Sequence, residues 1–97
     1  MAGPALPGAE IVSAGLCDLR AGNETDPALL VSIGAPRLRR LGVTVPRTIE
    51  NPEHRLYARL LLVEGDAAHS RYNALLNRLV SYERALSWLV SAGRLEP

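Results

Sequence analysis

A chain of 97 residues has room for one domain on a single core. Its 47% hydrophobic and 22% charged residues are ordinary for a soluble globular protein, and no apolar run approaches the ~18–20 residues of a membrane span. A net charge of +1 is low for a dedicated nucleic-acid domain, and a single cysteine excludes an internal disulfide framework and two-cysteine metal patterns. The apolar content is Leu, Ala and Val with no Phe, which permits helix and lacks the aromatic signature of strands. All 11 basic residues are Arg, the pattern of a GC-rich bacterial coding sequence. The charge is uneven. Residues 1–36 hold one Arg against four acids, whereas residues 37–78 hold eight Arg against four acids, so the two stretches can complement each other within a fold or across a dimer.

In chain order, residues 1–8 read as a disordered lead-in with three proline and glycine breaks before Gly8. This stretch has no basic n-region and its apolar residues are broken by Pro4, Pro7 and Gly8, so it is not expected to be a signal peptide. Residues 9–97 are expected to form a single helical domain. Ile11, Val12, Leu16 and Leu19 share one side of a short helix from Ala9 to Ala21, stopped at Gly22. Thr25 or Asp26 caps a second helix with Pro27 in its first turn, and Gly34 is expected to halt it. A brief helix from Pro36 to Leu41 then closes at Gly42. Thus residues 9–45 read as short N-terminal helices and residues 46–51 as a linker between Pro46 and Pro52.

Residues 52–93 are expected to form a helical hairpin. Asn51 is placed as the cap of its first helix, which ends in the apolar run Leu60, Leu61, Leu62 and Val63 and is expected to be covered on more than one side. Asp66 is placed as the cap of a long second helix, with Arg94 just past its end. In that helix Tyr72, Leu75, Leu79, Tyr82, Leu86 and Leu89 recur at steps of three and four, and Trp88 falls on a second face. At roughly 40 Å the helix outreaches its shorter partner. The expected fold is therefore an all-α bundle of four to five helices, with the long C-terminal helix in a helical hairpin.

Few residues suggest chemistry. His54 and His69 are fifteen apart and belong to no HExxH, so no metal ligands, cofactor-binding residues or catalytic residues are assigned, and an enzyme is not expected. Cys17 reads as a small buried hydrophobe. Two binding readings remain. The first is a non-catalytic, cytoplasmic protein that works by protein–protein interaction, as a homodimer or by adaptor- or antitoxin-like partner binding. Its interface would be Tyr72, Leu75, Leu79, Tyr82, Leu86, Trp88 and Leu89, the last helix supplying the aromatic types that dominate interfaces. The alternative is a small helix-turn-helix DNA-binding regulator. In it a Gly34–Ala35 turn would present the segment 36–41, with Arg37, Arg39 and Arg40 on nucleic acid.

Overall fold

The computed structural model describes residues 6–93, and among them the chain is helical with no strand. Helix α1 spans Ala9–Ala21, α2 Asp26–Arg40, α3 Pro52–Glu64 and α4 Ala68–Ser91, with a 3-10 turn at Gly65–Ala67 between the last two. Residues 1–5 of the expected lead-in, and Arg94 beyond the last helix, lie outside the described residues. No helix of the described residues is long and apolar enough to cross a membrane.

Local chemistry accounts for most of these boundaries. Gly22 ends α1 in the left-handed conformation at φ 80°, where glycine carries no Cβ penalty. Thr25 opens α2 by accepting the Ala28 N–H at 3.1 Å, while its hydroxyl donates to Asp18 Oδ2 at 2.7 Å. One side chain thereby fastens the start of α2 to the end of α1. Two expected caps behave differently. Asn51 stands at the N-cap of α3 in a left-handed conformation with no side-chain cap hydrogen bond. Asp66 is not the cap of α4: the chain enters that helix directly from the 3-10 turn, whose Gly65 carbonyl accepts the Ala68 N–H.

The largest correction concerns α2. The expected break at Gly34–Ala35 does not occur, and one helix runs through Pro36 to Arg40. Glycine and proline cost about 1 and 3 kcal/mol relative to alanine inside a helix. Burial opposes that cost, because Leu29, Leu30, Val31, Ala35 and Leu38 are at most 1% exposed, and each fully buried leucine contributes roughly 1.5–3 kcal/mol. Gly34 belongs to this packing. A Cβ there would stand 2.9 Å from Glu83 Oε2 and from Leu79 Cδ1, so its absence lets α4 approach.

Helix α2 is the hub, since α1, α3 and α4 all pack on it. The following loop returns along it instead of serving as a free linker. Arg39 Nη2 donates to the Val45 carbonyl at 2.9 Å, and the Ile49 N–H donates at 3.1 Å to the Ser32 hydroxyl, which itself donates to the Ala28 carbonyl. Three ion pairs then join acids of the first third to arginines of the middle: Arg55–Glu24, Arg59–Asp26 and Arg78–Glu10, at 3.2, 2.7 and 2.9 Å. The uneven charge along the chain is thus partly resolved inside the fold. Each pair is well exposed and worth no more than about 1 kcal/mol. Helix α4 is about 36 Å long by its 24 residues, in a molecule that measures 43 × 26 × 25 Å.

Candidate functional site

The stripe expected to form an interface mostly faces inward. Leu75 and Leu79 are 1% and 3% exposed and belong to the core, and Leu86 is buried. Tyr72 and Tyr82 are half-buried against that core, and burial raises both phenol pKa values, with Glu53 adding to the rise at Tyr72. Tyr72 meets Tyr57 of α3 edge to face, with ring centroids 5.5 Å apart. Leu89 is half-buried as well. Trp88 alone of the seven is largely open, at 59% exposure. The periodic stripe marks where α4 meets its own chain, and its available surface lies elsewhere.

That surface is concentrated on the second hairpin. The exposed large hydrophobics among the described residues are Leu61, Leu62, Val63, Val80 and Trp88, all on α3 or α4. Leu62 and Val63 are 89% and 81% exposed, so the expectation that the end of α3 is covered on several sides is overturned within the chain. The sequence did carry a signal. Four consecutive apolar residues sweep some 300° around a helix at 100° per residue, and no single neighbour can cover that arc. Leu60 points inward at 2% exposure while the next three turn away from the core. Just beyond them lie Glu64 and Asp66, and Arg71 follows one turn into α4, all three exposed.

The three arginines of the DNA-binding alternative have different surroundings. They stand in the last turn of α2, where positive charge suits the helix dipole. Arg39 is held by the Val45 carbonyl. Arg37 and Arg40 border a cleft of about 340 Å³ between α2 and α4, floored by Ile33, Leu76, Leu79 and Val80. The turn expected at Gly34–Ala35 is absent, since one continuous helix runs through it and Leu29, Leu30, Val31, Ala35 and Leu38 are buried in the core.

The same cleft holds a group that sequence reasoning did not single out. Glu83 is 6% exposed, and among the described residues no fully enclosed side-chain oxygen or nitrogen lacks a hydrogen-bond partner. Burial raises its pKa, while Arg37 and Arg40 pull it part of the way back. In sequence it is one acid at the edge of an apolar stripe, a position that is usually solvated, and only the close approach at Gly34 encloses it.

Remaining candidates for chemistry are scattered. His54 and His69 are exposed, and the latter pairs with Asn73 at 3.3 Å. Cys17, expected to be buried, is exposed on α1. Among the described residues no group of three or more His, Cys, Asp or Glu side chains is placed to hold a metal ion. No family model matches the chain, and no curated protein or solved structure does so either.

Proposed function

We propose that this chain is a non-catalytic association module that pairs with a second copy of itself through its C-terminal hairpin. One observation carries the reading: every large hydrophobic left exposed among the described residues lies on α3 or α4. Single exposed apolar residues are ordinary on a protein surface, whereas contiguous ones mark contact sites. Leu61, Leu62 and Val63 are consecutive in the chain and all exposed. Their surroundings favour a self-complementary contact. Glu64, Asp66 and Arg71 flank the patch and enter no ion pair among the described residues. In the proposed two-fold contact the acids of one copy face Arg71 of the other, a self-complementary arrangement of the kind an isologous interface uses. An adaptor- or antitoxin-like partner would use the same corner, extended along α4 towards Val80 and Trp88. An exposed, unpaired Cys17 suits the reducing cytoplasm as the setting.

Sedimentation velocity across a concentration series tests this directly. The 10.5 kDa chain should sediment with about twice that mass at high concentration. Leu62→Glu combined with Val63→Glu should return it to a monomer without loss of helicity. A wild-type chain that stays monomeric up to about 500 µM, where even a ~100 µM dimer would be populated, would rule the reading out.

A further inference from the structure

The rim of the α2–α4 cleft differs in character from its floor. The floor is apolar, made by Ile33, Leu76, Leu79 and Val80, and the open space above it is about 340 Å³. Arg37 and Arg40 stand on the α2 rim, and Arg84 stands on α4 one turn beyond Val80. All three are exposed. Glu83 is the one acid in residues 32–42 and 76–92, and Arg37 and Arg40 act on it through space. Three guanidinium groups against one enclosed carboxylate leave the rim positive whichever state Glu83 is in. The cleft begins at Leu76, about 12 Å along α4 from Ala68 at the tip of the second hairpin, so it is a separate surface from Leu62 and Val63.

We propose that this cleft docks an acidic amphipathic helix of a protein partner. The apolar side chains of that helix rest on Ile33, Leu76 and Val80, and its flanking carboxylates meet Arg37, Arg40 and Arg84. Guanidinium groups pair with carboxylates through a planar fork, and complementary charge at a rim steers encounter and excludes partners of the wrong sign. The walls select a helix over an extended peptide. Both are helices whose interior backbone groups are already paired, so they offer an extended strand no N–H or C=O, whereas a docked helix satisfies its own backbone. The span agrees. From Ile33 to Arg40, and from Leu76 to Arg84, each wall runs about two turns or roughly 11 Å, the reach of apolar anchors at i, i+4 and i+7. The floor selects a protein over nucleic acid, because phosphates would engage the arginines and leave the apolar surface uncovered.

The test is NMR titration of the full chain with a synthetic helical peptide of roughly 15 residues, its leucines spaced three and four apart and its glutamates on both sides of them. The amides of residues 33–40 and 76–84 should shift. Lysine in place of the peptide's glutamates, or serine in place of its leucines, should each weaken binding at least about tenfold. Arg37→Glu with Arg40→Glu should weaken the acidic peptide by a similar factor and strengthen the lysine peptide, a reversal that a misfolded chain would not give. Val80→Ser should weaken the acidic peptide with the charge unchanged. These side chains are exposed, so the variants are expected to keep the fold. Leu62→Ser with Val63→Ser should leave peptide binding as it is, which separates the cleft from the hairpin contact. No amide shift in the cleft at about 1 mM peptide, enough to reveal even millimolar binding, would overturn the proposal. So would a duplex DNA that shifts the same amides and is indifferent to Val80→Ser, since the rim would then serve phosphate. Loss of self-association in the Arg37→Glu, Arg40→Glu chain would assign the cleft to a second copy and overturn it as well.

Discussion

The two hairpins of this molecule are finished to different degrees. In the first, α1 and α2 meet backbone to backbone: a Cβ on Gly15 would stand 2.3 Å from the Pro27 carbonyl oxygen and 2.5 Å from Val31 Cγ2. A shared threonine closes the turn between them, and neither helix leaves a large hydrophobic exposed. In the second, α3 and α4 meet through side chains such as Tyr57 and Tyr72, and five large apolar residues remain in solvent. Both are built from similar amounts of apolar sequence. The first spends that content on its own core, and the second keeps part of it outward, which is why association is assigned to the second.

Gly15→Ala should break the comparison most sharply. The obstruction is backbone, which cannot rotate away, so α1 must lift from α2. Overpacking of this kind costs about 3 kcal/mol even after the helix-propensity gain of about 1 kcal/mol. For a domain of this size the melting temperature should fall by more than about 12 °C. Gly34→Ala is the control, because its new methyl meets the movable ends of Leu79 and Glu83. It should stay within about 1 kcal/mol of wild type. An unchanged melting temperature for Gly15→Ala would mean that the first hairpin is no tighter than the second.

Thr25→Val comes next. It removes the hydrogen bond accepted from Ala28 and the one donated to Asp18 while keeping the side-chain shape. A loss of about 1–2 kcal/mol in urea unfolding is expected. A loss below a few tenths would show that the α1–α2 junction rests on packing alone.

The sequence made the helical class, the ends of α1 and the cap at Thr25 readable, because each depends on neighbours in the chain. It misplaced what depends on the third dimension. Gly34 and Pro36 look like a helix break, and local propensity does favour one. Only the burial of Ala35 and Leu38 on one side and the approach of Leu79 and Glu83 on the other reverse it. The apolar stripe from Tyr72 to Leu89 is plain in the sequence, but periodicity cannot tell a face that meets its own chain from one that meets a partner. That ambiguity placed the expected interface on residues the core uses. Glu83 was the least legible, since nothing in its spacing separates an enclosed acid from a solvated one.

Glu83 also gives a pH-dependent prediction at the contact between the hairpins. Its carboxyl pKa is raised by burial, opposed in part by Arg37 and Arg40. A folded-state pKa above the unfolded value means that the native state holds the proton more tightly. The associated stability is complete below the ordinary value of 4.5 and is lost as pH rises through the folded-state value. Glu83→Gln removes this dependence. Its melting temperature minus that of wild type should therefore grow as pH rises from about 4 to about 7. A difference that stays flat or shrinks would show that the two arginines outweigh burial.

The smallest stability effect is expected where the sequence looks most apolar. Leu62→Ser and Val63→Ser, measured at concentrations low enough to keep the chain monomeric, should change unfolding free energy by no more than about 0.5 kcal/mol. Both side chains are more than four-fifths exposed, and their removal opens no cavity. Leu60→Ala, one residue earlier on the same helix, should cost about 2–5 kcal/mol, because Leu60 is 2% exposed and its loss leaves a void. Repeating the melts at high concentration sharpens the contrast. Wild type should gain stability with concentration, as any native state that binds a second copy must, and the two serine variants should lose that gain while Leu60→Ala keeps it. Serine variants that destabilise the dilute monomer by as much as Leu60→Ala would place Leu62 and Val63 in the chain's own core and leave the second hairpin as complete as the first.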